Sequence, residues 1–164
     1  MTCMLADWRQ ATAKVRAWQR QGARVVFTNG CFDLLHPGHV DYLEKAQALG
    51  ERLVVGLNDD ASVRRLKGPT RPINPLADRA RMLGALRCID LVVPFSEDTP
   101  LALIRMLSPD ILVKGGDYRV DAIVGADVVR ARGGRVVVLP FLAGYSSSAL
   151  IRRICERCGC DERA

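Results

Sequence analysis

The chain has 164 residues, of which 49% are hydrophobic and 26% are charged, and its formal net charge is +6. This size and balance are typical of one soluble globular domain that is long enough to bury a core. No apolar run approaches the roughly 20 residues of a membrane span, and the start lacks a basic segment followed by an apolar one. We therefore expect no membrane helix, no signal peptide and a cytoplasmic location.

The positive charge narrows the class of partner. It suits nucleic acid, acidic membrane surfaces or phosphorylated small molecules. Lys and Arg are dispersed along the chain, without a basic tail or an aromatic-interleaved pair of strands. We therefore expect small phosphorylated molecules as partners, and neither nucleic acid nor a membrane.

Hydrophobic periodicity and turn residues divide the chain into alternating helices and strands. The predicted helices cover residues 5–20, within an N-terminal helical segment 1–21, then 37–49, 76–86, 98–107, 121–131 and 146–155, with a short helix after Asn58. The predicted strands cover residues 24–28, 52–57, 90–94, 110–113 and 135–140. Most strands are apolar along their whole length, which predicts a parallel sheet buried on both faces. The fold class is therefore α/β: a doubly wound, Rossmann-like, five-stranded parallel sheet with helices on both faces, in a single domain of residues 1–164.

The cysteines give a separate prediction for the C-terminus. Six cysteines in a chain without a secretion signal indicate reduced thiols. Cys155, Cys158 and Cys160 have the spacing C-x2-C-x-C, but neither histidine is near in sequence to complete a zinc site. We expect no metal site there, and a flexible tail with reactive thiols over residues 156–164.

Segments rich in glycine, charge or hydroxyl groups follow the predicted strands. They are residues 29–39, 58–74, 114–118 and 141–148. In open parallel sheets, ligands bind beyond the carboxyl ends of the strands, near the point where the strand order reverses. The sequence therefore predicts that one cleft gathers all four segments.

The first of these segments contains the two histidines of the chain, His36 and His39. Pro37 is at the predicted first helical position, so both rings lie on one face of the first helical turn. The helix N-terminus adds free amide groups and a positive dipole. Two imidazoles at such a position predict a polyanion site, with a nucleotide triphosphate as the best candidate. The alternative is a pair of surface residues at a helix start.

The stretch 29–39 (NGCFDLLHPGH) resembles the HxGH signature of a nucleotidyltransferase superfamily that includes cytidylyltransferases and adenylyltransferases. The late stretch 144–153 (GYSSSALIRR) resembles its second nucleotide motif, in which hydroxyl residues open the last helix. Cys31 stands where some relatives carry threonine, and Ser148 where they often carry threonine. The resemblance covers roughly residues 22–155.

Three further stretches resemble the heptose 1-phosphate adenylyltransferases of that superfamily: residues 65–75, 97–100 and 112–118. The resemblance implies transfer of AMP from ATP to D-glycero-β-D-manno-heptose 1-phosphate, which gives ADP-heptose and pyrophosphate for lipopolysaccharide core biosynthesis. In many bacteria this activity is fused to a sugar kinase. The length here implies the stand-alone transferase.

Such a transfer requires positioning and charge neutralisation more than a covalent nucleophile. With the resemblance, the residues predict three groups of site residues. The catalytic group is His36, His39 and Lys67. The nucleotide-binding group is Asn29, Gly30, Cys31, Phe32, Gly38, Arg79, Ser146, Ser147 and Ser148. The sugar-phosphate-binding group is Asp33, Lys67, Arg71, Lys114, Gly116 and Asp117.

Several of these assignments have a plain structural alternative. Lys67 also fits a solvated loop lysine, and the glycines at 115–116 also fit a simple turn. Asp33 fits a residue that orients the loop, holds a metal-bound water or caps the helix entry. Mg²⁺ is expected on the triphosphate, held by phosphates and water, so no protein ligand is predicted.

Two other functions stay open at the level of sequence. The first is a cytidylyltransferase that acts on glycerol 3-phosphate or another polyol phosphate. The second is a nucleotide sensor that binds ATP without turnover. Parallel-sheet enzymes of this size often pair, so we also expect a homo-oligomer.

Overall fold

The computed structural model describes residues 4–159 of the chain. Its strands are β1 (Met4–Leu5), β2 (Val25–Gly30), β3 (Arg52–Asn58), β4 (Leu91–Phe95), β5 (Ile111–Gly115) and β6 (Arg135–Leu139). Its helices are α1 (Trp8–Arg20), α2 (Pro37–Gln47), α3 (Asp60–Lys67), α4 (Leu76–Gly84), α5 (Leu101–Leu107), α6 (Ala126–Ala131) and α7 (Ser147–Cys158), with a 3₁₀ turn at Val120–Ala122. No helix in this part of the chain is long and apolar enough to cross a membrane.

The strands form one sheet in the order β1-β4-β3-β2-β5-β6, and every neighbouring pair is parallel. Buried residues of α1, α5 and α6 pack on one face of the sheet. Buried residues of α2 and α4 pack on the other face. The doubly wound α/β fold predicted from the sequence is therefore confirmed, and the five predicted strands are joined by the short edge strand β1.

The N-terminal segment differs from its prediction. Helix α1 begins at Trp8, not at residue 5, because Asp7 forms a capping box with Gln10. The Asp7 carboxylate accepts a hydrogen bond from the Gln10 amide at 2.8 Å, and the Gln10 side chain accepts one from the Asp7 amide at 3.4 Å. The residues before the cap are thereby free to pair with β4 as strand β1.

Three other boundaries bear on the candidate site. Strand β5 continues to Gly115, so Lys114 belongs to the strand rather than to the loop after it. The predicted helix 121–131 is split, because Ile123 is extended and buried against the core between the 3₁₀ turn and α6. Helix α7 continues to Cys158, so residues 156–158 are helical. The other residues of the predicted tail include Cys160 and, apart from Gly159, lie outside the described residues.

The order of the strands reverses between β2 and β5. From β2 the chain proceeds outward through β3 to β4, and it then returns to place β5 and β6 on the other side of β2. The loops that follow β2 and β5 therefore diverge and leave a crevice at the carboxyl edge of the sheet. The topology of the sheet therefore indicates a ligand site at this edge.

Candidate active site

A cleft of about 570 Å³ opens at the carboxyl edge of the sheet. All four segments predicted to converge contribute to it. The lining residues are Asn29, Gly30, Cys31, Phe32, Asp33, His36, Gly38, His39, Tyr42, Asn58, Leu66, Lys67, Arg71, Lys114, Gly115, Tyr118, Phe141, Leu142, Tyr145, Ser146, Ser147 and Ser148. The sequence therefore predicted the position of the cleft and most of its polar lining.

The two histidines lie together at the start of α2. His36 is the N-cap residue and Pro37 is the first helical residue, as predicted. The imidazole rings of His36 and His39 are stacked, with centroids 3.7 Å apart and an interplanar angle of 18°. Gly38 permits this arrangement, because a Cβ atom there would lie 2.9 Å from Tyr145 Cβ and 3.1 Å from His36 Nδ1.

Both imidazoles are held in the neutral form. Burial lowers the pKa of His39 to about 4, and a charge on the neighbouring His36 would lower it further. Burial also lowers the pKa of His36. The Nδ1 atoms of both rings are buried and have no hydrogen-bond partner among the described residues. The pair therefore offers uncommitted ring nitrogens beside the amides of a helix N-terminus.

The loop between β2 and α2 forms the floor of the cleft. Phe32 has a φ of 45°, in the left-handed region that side chains rarely adopt, and its ring packs edge-on to His39. Burial raises the pKa of the Cys31 thiol, against the opposing influence of Lys67, Arg79 and Arg71. A thiol in this state is a poor nucleophile. This agrees with a mechanism that has no covalent intermediate.

Three cations lie on two sides of this floor. Lys67 is the last residue of α3, not a loop residue, and its exposed side chain lines the cleft together with Arg71. Lys114 lines the opposite side, where burial lowers its pKa. Its ammonium nitrogen lies 5.8 Å from the centre of the Tyr118 ring.

Asp33 lines the cleft but is only 1% exposed. Its carboxylate accepts hydrogen bonds from Arg71 Nε at 2.5 Å and from the amides of Ile73 and Asn74 at 2.9 Å. Burial would raise its pKa, but these donors outweigh burial and hold the pKa below its usual value. The structure does not favour the predicted contact of Asp33 with a sugar phosphate, because both carboxylate oxygens are engaged within the chain. Of the alternatives, orientation of the loop is the one that the contacts support.

Arg79, which was predicted to contact the nucleotide, is absent from the lining of the cleft. The Arg79 side chain is fully buried and bonds the carbonyl oxygens of Cys31, Asn58 and Asn74. A fourth bond reaches the Asp60 carboxylate at 2.7 Å. The arginine lies beneath the cleft and joins the loops that follow β2 and β3 to the start of α4.

The glycines after Lys114 pack against aromatic rings of the chain itself. A Cβ atom on Gly115 would lie 2.4 Å from the Phe141 ring and 3.1 Å from the Tyr42 ring. The missing side chain thus leaves room for an aromatic ring of the chain itself, not for a close approach of ligand. Gly116 and the exposed Asp117 are absent from the lining, so the structure does not bring these two predicted residues into the cleft.

The serines that open α7 are at the cleft, as predicted. Ser146 is the N-cap, and its hydroxyl accepts a hydrogen bond from the Ala149 amide at 3.0 Å. The Ser147 hydroxyl donates to the Leu34 carbonyl at 3.4 Å, which links α7 to the loop before α2. Ser148 is exposed. The N-termini of α2 and α7 therefore flank the same space.

One side of the cleft is an apolar and aromatic wall that the sequence patterns did not predict. It comprises Tyr42, Tyr118, Phe141, Leu142 and Tyr145 on the side of β5 and β6. Phe141 is 62% exposed and Tyr118 is 52% exposed, which is unusual for large apolar rings. The available signal was the run Phe141–Leu142 directly after a strand, at the edge where ligands bind. Asn58 and Leu66 were also missed.

The lining offers little to bind a metal ion directly. Asp33 is the one carboxylate among the lining residues of the described chain, and both of its oxygens are engaged. No group of three His, Cys, Asp or Glu residues in the described chain is placed to hold a metal. Among the described residues, the cleft therefore offers no free carboxylate as a direct ligand for a metal ion.

Comparison with known proteins agrees with this geometry. The family model described as cytidylyltransferase-like matches residues 27–153. The chain belongs to the cytidylyltransferase-like family. That span contains the histidine pair, the cations and the start of α7, so the family match includes the whole cleft.

Curated members of the family are closely similar to this chain. The bifunctional protein HldE of Gluconacetobacter diazotrophicus is 61% identical over 153 residues, which are 93% of this chain and 32% of that protein. The bifunctional protein HldE of Citrifermentans bemidjiense is 62% identical over 134 residues, 82% of this chain and 28% of that protein. The chain thus spans about a third of the length of the curated relatives it matches.

Solved structures show the same fold. A lipopolysaccharide core biosynthesis protein from Thermoplasma volcanium is 26% identical, with a TM-score of 0.60, and the match covers 74% of this chain and 98% of that one. A pantoate–β-alanine ligase from Francisella tularensis is 16% identical, with a TM-score of 0.62, and covers 98% of this chain and 80% of that one. The ligase supports the fold alone.

The neutral histidines predict a specific dependence of stability on pH. The pKa of His39 is about 4 in the folded chain and near 6.5 in an unfolded chain, so the unfolded chain binds more protons between these values. The free energy of unfolding should therefore fall as the pH is lowered from about 6.5 to about 4. Asp33 stays ionised over this range, because its pKa is lowered from 3.8.

Urea denaturation between about pH 7 and about pH 4.5 measures this effect. The His39→Asn variant should show a shallower decline than the unchanged chain, and the variant with His36→Asn added should show the shallowest. A decline in His39→Asn as steep as in the unchanged chain would contradict burial of a neutral imidazole.

Proposed function

We propose that the chain transfers AMP from ATP to D-glycero-β-D-manno-heptose 1-phosphate, giving ADP-heptose and pyrophosphate for lipopolysaccharide core biosynthesis. The observation that carries the proposal is the stacked, neutral His36–His39 pair. Its buried Nδ1 atoms have no partner in the described chain, and it lies beside the N-termini of α2 and α7. Helix N-termini and ring nitrogens together favour a bound triphosphate.

The proposed reaction is a direct displacement at the α-phosphorus of ATP. An oxygen of the sugar 1-phosphate forms the new P–O bond, and the bond between the α-phosphorus and the bridging oxygen breaks. The electron pair leaves with pyrophosphate. A phosphate monoester is a competent nucleophile at neutral pH, so no general base is needed. His36 and His39 donate hydrogen bonds to the phosphate oxygens as negative charge accumulates there.

The distribution of polar and aromatic residues supports an orientation for the two substrates. Lys67 and Arg71 lie on the side of α3, where their cations suit the phosphate of the acceptor. Tyr118 and Phe141 lie on the side of β5 and β6, where flat apolar rings suit a nucleobase. We therefore propose that the acceptor binds on the α3 side and the base on the β6 side. In this orientation Lys114 contacts the nucleotide, whereas the sequence predicted that it contacts the sugar phosphate.

The identity of the sugar is supported by similarity. The stretches 65–75, 97–100 and 112–118 resemble heptose 1-phosphate adenylyltransferases, and one solved relative is named for lipopolysaccharide core biosynthesis. The curated relatives share about 60% of their aligned residues with this chain. A cytidylyltransferase acting on a polyol phosphate is the second candidate, because the family model describes cytidylyltransferase-like proteins in general. The similarity to the bifunctional HldE proteins favours the first candidate.

We propose that Mg²⁺ enters with the triphosphate, because the cleft has no free carboxylate to hold it. When bound, the ion neutralises phosphate charge.

We further propose a cytoplasmic homo-oligomer. Helix α7 buries none of its described residues, and the strand β6 is half-exposed along most of its length, which leaves both available to a second copy.

A substrate panel tests the proposed function. Pyrophosphate release should be measured with Mg²⁺, with ATP or CTP, and with heptose 1-phosphate, glycerol 3-phosphate or glucose 1-phosphate. We expect release with ATP and heptose 1-phosphate. Release only with CTP and a polyol phosphate would show instead that the chain is a cytidylyltransferase, the second candidate. Binding of ATP without release in any combination would favour a nucleotide sensor.

Variants of the two histidines test the mechanism. His36→Ala and His39→Ala should each lower kcat by about 10²- to 10³-fold, the effect of removing one preorganised donor in a transition state. The chain has no further histidine, so the control is thermal denaturation, which shows that each variant is folded. Near-normal kcat in both folded variants would contradict the assignment.

Variants on the two sides of the cleft test the orientation of the substrates. Lys67→Met should lower kcat/KM for the sugar phosphate by about 10- to 100-fold, because it removes a charge-assisted contact. Phe141→Ala should instead raise KM for ATP by about 10-fold through lost stacking. The matched control is Lys45→Met, since Lys45 pairs with Asp41 near the other end of α2. If Lys67→Met affected only ATP, the orientation would be reversed.

A further inference from the structure

Asp33 belongs to the loop between β2 and α2, yet its side chain binds a different loop. We use the name acceptor loop for residues 68–75, between α3 and α4. The Asp33 carboxylate accepts hydrogen bonds from the amides of Ile73 and Asn74 and from Arg71 Nε. The Asn74 side chain returns a bond of 2.8 Å to the Asp33 carbonyl. Four contacts thus join one buried residue to three residues of the acceptor loop.

A simple helix cap does not explain these contacts. The N-cap of α2 is His36, which makes no side-chain cap, and the Asp33 carboxylate bonds no amide of α2. Stability alone is also a poor explanation for the pairing with Arg71. A buried ion pair gains little over apolar packing, because desolvation of both charges offsets their attraction.

The hydrogen bond to Asp33 fixes the orientation of the Arg71 guanidinium. The Arg71 side chain is 13% exposed and lines the cleft. Its Nε is engaged by Asp33, whereas its two terminal amino groups make no hydrogen bond to another residue in the described part of the chain. A guanidinium is planar and rigid, so fixing Nε also fixes the direction of the terminal fork. That fork is the part that binds phosphate oxygens in a bidentate manner.

The acceptor loop is also held from below. Asn74 donates to Asp33 through its amide and accepts a bond of 3.0 Å from Arg79 Nε through its carbonyl. Arg79 in turn bonds the carbonyl of Cys31, two residues before Asp33. The acceptor loop is therefore fixed at two levels against the loop between β2 and α2. Arg71 is the residue of the acceptor loop that lines the cleft.

We propose that Asp33 is a positioning residue that acts through Arg71: it fixes the acceptor loop and directs the terminal amino groups of Arg71 at the phosphate of the acceptor. Asp33 itself touches no substrate. This inference rests on the proposed function, because it takes the α3 side of the cleft as the acceptor side.

A double-mutant cycle tests the inference. Asp33→Asn keeps the shape of the side chain but presents an amide donor to groups that are themselves donors. We expect it to raise KM for heptose 1-phosphate by about 10- to 100-fold, with KM for ATP changed by less than about 3-fold. Arg71→Met should raise the same KM. The double variant should be no worse than Arg71→Met, because Asp33 acts through Arg71.

The alternative, a purely structural role, gives a different result in the same cycle. It predicts that the effects of Asp33→Asn and Arg71→Met multiply, and that KM for ATP rises along with KM for the acceptor. Either result would overturn the inference. The matched control is the exposed pair Arg24–Glu51, which lies at the amino ends of β2 and β3, on the other edge of the sheet from the cleft. Arg24→Lys and Glu51→Gln should leave both KM values unchanged.

Two measurements serve if Asp33→Asn does not fold. Arg71→Lys keeps the charge but has a single nitrogen, which cannot bind Asp33 and a phosphate in the geometry of a guanidinium. We expect KM for the acceptor to rise by about 10-fold, and an unchanged KM would overturn the inference. The second measurement is the ¹⁵N–¹H resonance of Arg71 Nε, assigned by its loss in Arg71→Lys. The proton on Arg71 Nε should be protected from exchange with water in the unchanged chain, because it is hydrogen-bonded to Asp33. Rapid exchange of this proton would overturn the inference.

These readouts separate failure of the inference from failure of the proposed function. If the unchanged chain released no pyrophosphate with any acceptor, the proposed function would fail while the Arg71 Nε resonance still reported the pairing with Asp33. Calorimetric titration with heptose 1-phosphate would then replace KM. Weaker binding in Arg71→Lys would support the inference, and equal binding would overturn it.

Discussion

The candidate site depends on one buried cation, Arg79. Its guanidinium is removed from water and bonds three carbonyl oxygens and one carboxylate, which belong to the loop after β2, the end of β3, the start of α3 and the loop before α4. A buried charge without partners is costly, so these loops cannot separate without exposing or orphaning it. The carboxyl edge of a parallel sheet supplies many loops but no hydrogen-bond ladder between them. Arg79 provides that connection directly beneath the floor of the cleft.

Above this floor, uncharged and charged side chains occupy different parts of the cleft. The uncharged His36 and His39 occupy the centre, and cations lie to either side, with Lys67 and Arg71 on one side and Lys114 on the other. In the reaction proposed above, neutral donors at the centre bind the triphosphate without holding the ground state so tightly that transfer is slowed. In the same proposal, the flanking cations offset the repulsion between two negatively charged substrates. The aromatic wall of Tyr118 and Phe141 then adds a surface for an uncharged ring system.

Much of this was predictable from local pattern. The His36–His39 spacing with Pro37, the serines before α7 and the segments that follow strands all predicted where the cleft lies, because helix ends and strand ends have fixed chemistry. Arg79 and Asp33 show where such prediction fails. Both are charged residues of a type that often binds ligands, yet the hydrogen-bonding groups of both are engaged by other residues of the chain. Their partners, such as Asn58 for Arg79 and Asn74 for Asp33, are 21 and 41 residues away in sequence, and no periodicity encodes such pairings.

The sequence by itself determined the alternation of helices and strands, the parallel sheet buried on both faces and the edge at which the cleft opens. These follow from hydrophobic periodicity and from helix-start residues, which act over one or two turns of chain. Only the tertiary structure decided which polar residues face the cleft and which are buried beneath it. It also decided that Gly115 makes room for Phe141 rather than for a ligand. Those outcomes depend on which side chains compete for the same space and the same donors, and that competition exists only once the loops are brought together.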